Sequence, residues 1–331
     1  MEHRTLGRTG RQVSVVGLGT WQLGADWGDV SELEAHAVLG ASLEAGVTMI
    51  DTADVYGDGR SETIIGGWRA ALPESDRARI TVATKMGRRL EQVPGNYTLE
   101  NFRLWTDRSR RGLQMETLDL VQLHCPPSEV FGSDAVFDAL DTLVAEEAIA
   151  AYGVSVETTD QALTAIARPG VATVQIILNA FRLKPLDAVL PAASAAGVGI
   201  IARVPLASGL LSGRYDHSTA FAANDHRTYN RQGEAFDRGE TFSGVDFDEG
   251  VDAAREFSAL AATVGLAPAT AALAWVVQQP GVSTVIPGAR NIEQAKANAT
   301  AGSVPPLGED FFASVRELYD RRFRAAIHSR W

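Results

Sequence analysis

The chain is nearly devoid of cysteine: Cys125 is the only one in 331 residues. No internal disulfide can form, which fits a reducing compartment. A basic excess is missing too. The net charge of −11 is the wrong sign for wrapping nucleic acid, and no Lys/Arg cluster suggests a membrane surface. No run of 18 apolar residues occurs, so no transmembrane helix is expected. The opening "MEHRTLGRTGRQVSVVG" lacks the apolar core of a signal peptide. These absences point to a cytoplasmic protein without membrane or nucleic-acid partners. The six histidines are scattered without HxH or HxxxH spacing, so no metal site is expected. No GxGxxG follows the first apolar run, which argues against a Rossmann site. Lysine is scarce as well. Of 30 basic residues only Lys85, Lys184 and Lys296 are lysines, so each is a minority choice.

What is present is a rhythm. The 45% hydrophobic content is ample for a large core. Eight short apolar runs read as strands: 15–20, 47–51, 80–85, 118–124, 150–155, 173–178, 198–204 and 282–287. They are mostly continuous and rich in Val and Ile, as parallel strands buried on both faces should be. Helical segments separate them, among them 31–46, 133–147, 158–167 and 186–197. The first has Ser31 as N-cap with Glu34 three residues on. The last contains Pro191, read as a kink. Eight βα units in a chain of this length predict an α/β fold, a (β/α)8 TIM barrel forming one domain over 1–331, with an open doubly wound sheet as the alternative. "HRTLG" and "RQVSV" read as an N-terminal β-hairpin capping the barrel floor. A long connection after the seventh strand, about 205–248, reads as a functional loop at the catalytic face.

Active sites of such barrels lie at the C-terminal ends of the strands. Three consecutive strands end on Asp51, Lys85 and His124, and Tyr56 follows Asp51 in the next loop. Adjacent strands lie roughly 4.8 Å apart, so these groups fall within about 10 Å of one another. Singly, each has an ordinary reading: a cap, a solvated lysine, a packing histidine. Together they suit carbonyl reduction. Lys85 beside Tyr56 lowers the phenol's pKa, since a cation favours the phenolate. Asp51 holds the lysine, Tyr56 donates a proton to a substrate oxygen, and His124 hydrogen-bonds that oxygen. The chain supplies no hydride of its own, which implies a nicotinamide cofactor. Cys125 adjoins His124, but successive strand residues face opposite sides, so no Cys–His nucleophilic pair is expected.

In this order and spacing, "DTADVYG", "VATKMG" and "VQLHCP" resemble strand ends of the aldo-keto reductase family. "GLGTWQLG", "YGVSVETTDQA", "VPLASGLLSGRY" and "VIPGARNIEQAKANA" resemble its other segments, so the resemblance spans nearly the whole chain. It implies an NADP(H)-dependent oxidoreductase that reduces aldehydes or ketones, a small-molecule carbonyl partner, and Asp51, Tyr56, Lys85 and His124 as catalytic tetrad.

The resemblance also assigns the cofactor site. Gly19, Thr20, Trp21 and Asp51 border it, and Ser155 and Gln175 hold the carboxamide. Pro205, Leu206, Ser208, Gly209 and Arg214 clasp the pyrophosphate. Pro287, Gly288 and Ala289 form the turn after the eighth strand, with Arg290, Gln294 and Asn298 at the 2′-phosphate and adenine. A helix starting near Asn291 suits a phosphate there. Arg227 and Arg231 are further phosphate candidates, and Trp21 and Trp27 join Tyr56 and His124 in the substrate pocket.

Two positions depart from the family. Val156 stands where many relatives carry Asn, leaving one carboxamide bond lost or supplied by Asn179. Arg203 stands where relatives stack an aromatic ring on the nicotinamide; its planar guanidinium is expected to stack flat and favour reduced cofactor. Two other functions remain open: a non-catalytic or weakly catalytic nucleotide-binding regulatory subunit on the same fold, and an aldolase-type barrel using Lys85 as a Schiff-base nucleophile.

Overall fold

The computed structural model describes residues 1–24, 30–223 and 225–331. It opens with an antiparallel hairpin of β1 (His3–Thr5) and β2 (Gln12–Ser14), with Arg4 opposite Val13. Eight parallel strands follow: β3 (Leu18–Gly19), β4 (Met49–Asp51), β5 (Thr81–Met86), β6 (Leu120–His124), β7 (Tyr152–Ser155), β8 (Val171–Ile177), β9 (Gly199–Arg203) and β10 (Val282–Val285). They pair in sequence order from β3 to β10. Backbone bonds from Gly17 N to Val285 O (2.8 Å) and Gly19 N to Pro287 O (2.9 Å) join the first strand to the last. The sheet thus closes into a (β/α)8 barrel.

Strand alternation sorts the barrel interior into two layers. Met49, Ala83, Leu120, Ile201 and Ile286 form an apolar floor, sealed by Leu6 and Val13 of the hairpin region. Two residues along their strands stand Asp51, Lys85, Gln122 and Arg203, because successive inward positions recur with period two. Ile50 and Val82, pointing the other way, join the larger core between strands and helices. Polar groups therefore sit on an apolar base.

The helix Glu32–Glu44 begins at a capping box, Ser31 with Glu34. Thr158 and Gln161 make another before Thr159–Ile166. Pro191 produces no kink. It occupies the first turn of Val189–Ala196, where its missing N–H has no helical partner to lose. The connection after β9 is more ordered than the sequence suggested. It holds 3-10 turns at Ala207–Ser212, Arg238–Glu240 and Phe242–Gly244 and a short helix, His226–Tyr229. Among the described residues no single helix is long and apolar enough to cross a membrane.

The turn carrying Tyr56 depends on Gly57. Its φ is +58°, and a Cβ there would lie 2.2 Å from the Gly24 carbonyl oxygen. Gly57→Ala is expected to lower unfolding free energy by roughly 2 kcal/mol or more, read by urea denaturation; an unchanged midpoint would contradict this packing.

Candidate active site

Lys85 is fully buried, so each ammonium proton needs an acceptor. It donates to Asp51 Oδ1 at 2.5 Å, to the Thr52 carbonyl at 2.9 Å and to the Tyr56 hydroxyl at 3.3 Å. Asp51 Oδ2 accepts from Gln175 Nε2 at 2.7 Å and Gln122 Nε2 at 3.3 Å. His124 meets the Tyr56 ring edge-on, centroids 6.0 Å apart. On the other side Trp21 stacks on Tyr56 at 6.0 Å. The structure thus brings Asp51, Tyr56, Lys85 and His124 together at the strand ends. Directly after β6 and β9 the chain takes left-handed conformations, at Cys125 (φ 48°) and Val204 (φ 53°). Such backbone is costly for a non-glycine residue, above all a β-branched one.

The electrostatics differ from expectation in one respect. Burial holds the Tyr56 phenol above its ordinary pKa, and the Lys85 cation only partly offsets it. The expected lowering by Lys85 is overridden because the phenol is buried, and it stays protonated at neutral pH. Burial also works against the Lys85 ammonium, but Asp51 and Tyr56 outweigh it and raise its pKa. A protonated amine is no nucleophile, so the Schiff-base reading loses its basis. His124 is held well below its usual range by burial and by the Arg88, Lys85 and Arg203 cations. It is a neutral imidazole, able to donate or accept one hydrogen bond at each nitrogen. Burial pushes the Cys125 thiol up to about 12, which removes it as a nucleophile.

These groups open onto a cleft of about 880 Å³. Tyr56, His124 and Asp51 line it, as do Gly19, Thr20, Trp21, Ser155, Gln175 and Arg203. So do Pro205, Leu206, Ser208, Gly209, Arg214 and Arg227, and Pro287, Gly288, Arg290, Gln294 and Asn298. Ala289 is buried outside this lining. Trp27 lies outside the described residues. Asn291 caps the helix Ile292–Thr300, its side chain accepting from Gln294 N at 2.9 Å. Arg227 is paired with Asp225, Nε to Oδ1 at 2.9 Å, and donates to the Tyr215 hydroxyl. Arg231 is not in the lining; it lies over the Phe247 ring at 5.0 Å.

Comparison with known proteins places this arrangement. The sequence profile described as "Aldo/keto reductase family" matches residues 15–320. The chain belongs to this family. It is 28% identical over 299 residues to the aldo-keto reductase YhdN of Bacillus subtilis, covering 90% of this chain and 87% of that one. Among solved structures, a glycerol dehydrogenase from Gluconobacter oxydans superposes with a TM-score of 0.77 at 29% identity, covering 94% and 93% of the two chains. An aldo/keto reductase from Klebsiella pneumoniae, solved in complex with NADP and acetate, gives 0.71 at 25% identity, covering 96% and 95%. The chain is accordingly an oxidoreductase of this family.

In this family member Arg203 does not present a bare cation to the cleft. Nη2 lies 2.9 Å from Glu157 Oε2 and donates to the Val156 carbonyl at 3.1 Å. Two carboxyl groups, Glu157 and Glu240, lie against the guanidinium that the sequence placed over the nicotinamide, so its charge is partly offset from within the protein. Asn179 is committed elsewhere: its amide donates to Val204 O and Ser243 Oγ, and its oxygen accepts from Phe181 N. It leaves no donor for a carboxamide. Sequence reasoning missed Gln122, His226 and Glu240. Gln122 was findable, two residues before His124 and so on the same strand face. His226, packed 5.0 Å from Trp21, and Glu240 carried no local signal.

Behind the Tyr56 turn lies Asp54, fully buried, with no hydrogen-bond partner on either carboxyl oxygen among the described residues. Its backbone shapes the loop, Asp54 N donating to Lys85 O at 3.1 Å. Burial and nearby Glu62 raise its pKa from 3.8 to about 7. The native state therefore binds this proton more tightly than the unfolded chain. Stability from this group is greatest below about pH 4, falls as pH rises toward about 7, and is level above. Asp54→Asn mimics the neutral form. It is expected to flatten that slope and, at pH 8, to stabilise by up to about 4 kcal/mol in urea denaturation. A variant less stable than the parent at pH 8 would contradict this.

Proposed function

We propose that the chain reduces aldehydes or ketones to alcohols with a nicotinamide cofactor, NADP(H) in preference to NAD(H), and works as a cytoplasmic enzyme. The observation that carries this reading is the buried Lys85 ammonium, donating at once to Asp51 and to a protonated Tyr56 beside a neutral His124. The rest of the cleft fits the cofactor by the chemistry of its donors. Arg214 and Arg290 offer cations, and the N-terminus of Ile292–Thr300 offers backbone N–H groups to a phosphate. Ser155 and Gln175 offer polar atoms beside the tetrad. The relative solved with NADP supports the same choice.

When bound, the nicotinamide supplies the hydride that adds to the carbonyl carbon. The residues of the chain handle the proton and the charge. His124, neutral, donates a hydrogen bond that holds the carbonyl oxygen in place. Tyr56 gives that oxygen its hydroxyl proton. The phenolate left behind is stabilised by the Lys85 ammonium, whose attraction is strong in a water-poor site. Asp51 keeps the ammonium charged and aimed. Trp21, flat against Tyr56, excludes water from that face of the phenol.

Tyr56→Phe keeps the ring and removes the proton. NADPH affinity is expected to stay within about threefold, while aldehyde reduction falls by roughly 10²–10⁴. Unchanged turnover would remove Tyr56 from the mechanism. NADPH binding with no reduction of any aldehyde by the parent chain would favour the regulatory-subunit reading instead.

A further inference from the structure

Four charged side chains at the catalytic end pair with one another, and two of them, Arg88 and Arg203, also help hold His124 neutral. Arg88 follows β5, Glu157 follows β7, Arg203 ends β9, and Glu240 comes from the connection after β9. Arg203 bridges Glu157 (2.9 Å) and Glu240 (3.8 Å), and Arg88 bridges Glu240 (3.1 Å) and Glu157 (3.7 Å). Two arginines and two glutamates alternate in a ring, in which burial pushes Glu157 up to about 7 while Arg88 and Arg203 outweigh burial and hold Glu240 well down. Three members sit at or within two residues past the ends of barrel strands, and one rides on the connection that lines the cleft with Tyr215, Phe221 and Arg227. Arg88 Nε also donates to the His124 carbonyl at 3.2 Å, so the ring touches the backbone of the catalytic imidazole.

The backbone around Glu240 is tied on both sides. Ser208 Oγ donates to Glu240 O at 3.2 Å and accepts from Phe242 N at 3.0 Å. On the outside, the Trp331 indole N–H donates to Asp237 Oδ1 at 2.9 Å, and Arg182 covers its ring at 4.4 Å. A Cβ on Gly244 would strike that ring at 2.2 Å, so the segment lies directly against the indole.

We propose that Glu240, with Arg203 and Arg88, forms an ionic latch that fastens the connection after β9 across the cleft and steadies the backbone at His124. Trp331 is its outer stay. Both Arg203, the position that departs from the family's aromatic ring, and the acid that compensates it are then positioning residues. This rests on the nicotinamide-cofactor reading, because the latch closes over that cleft.

The test is NADPH release from the full chain, followed by stopped-flow through the fluorescence of the reduced cofactor. Glu240→Gln and Arg203→Met are each expected to speed release about tenfold or more, because either removes one charge from a buried ring and leaves the rest unbalanced. The double variant is expected to be no faster than about the faster single, since an opened latch cannot be opened twice. Single-variant rates within about twofold of the parent, or effects that multiply, overturn the latch. Should a buried-charge variant not fold, Trp331→Phe carries the test. It keeps a ring but loses the bond to Asp237; release about three- to tenfold faster supports the latch, and an unchanged rate overturns it. A parent chain that binds no NADPH would overturn the cofactor reading itself, whereas binding with unaffected release overturns the latch alone.

Discussion

A lysine ammonium with no access to water must find all its partners inside the protein, and the architecture around Lys85 follows from that demand. Leaving one charge of a buried pair uncompensated costs about 3–5 kcal/mol. Asp51 on the neighbouring strand answers it at 2.5 Å, and two glutamines from β6 and β8 fix that carboxylate in turn. Because these residues sit on separate strands, the pair forms only when the strand register is right. A slip of one residue would turn Asp51 toward the helices and Ile50 into the barrel. The same interaction that specifies the register sets the charge behind the Tyr56 phenol.

The apolar floor makes this charge effective. Leu6 and Val13 seal the end opposite the cleft, and Met49, Ala83, Leu120, Ile201 and Ile286 fill the layer between. Asp51, Tyr56 and His124 face the cleft, and Lys85 beneath them is fully buried, so its field is weakly screened. Burial has two consequences that pull in the same direction for a proton donor. It keeps the Tyr56 phenol protonated before reaction, and it concentrates the stabilisation of the phenolate on one nearby cation. The neutral His124 belongs to the same electrostatic arrangement, since Lys85, Arg88 and Arg203 all oppose a second positive charge there.

The parts of this legible in the sequence were those governed by local pattern. The ends of continuous apolar runs put Asp51, Lys85 and His124 at matched strand ends, and Ser31 with Glu34 announced a helix start that the structure contains. The scarcity of lysine drew attention to Lys85 before any geometry was known. Balances between opposing effects were less legible. Whether Lys85 or burial prevails at Tyr56 depends on how much water the fold excludes, which no spacing encodes. Pairings across long separations were not legible at all. Arg203 looked like an exposed cation in the cleft because Glu240, its partner from a polar connection, lies 37 positions away. Asp54 carries no local signal of burial, yet the chain packs over it completely.

In the proposed reaction the buried ammonium of Lys85 provides the charge against which Tyr56 releases its proton. The most direct measurement is single-turnover oxidation of bound NADPH by a saturating aldehyde in Lys85→Met, with circular dichroism confirming the fold and NADPH affinity determined alongside. Methionine preserves length and apolar bulk but carries no charge. The rate is expected to fall by about 10² or more with cofactor affinity within roughly threefold, since Lys85 lies beneath the cleft rather than in its lining. A folded variant that binds NADPH and reduces aldehyde within about tenfold of the parent rate would contradict it.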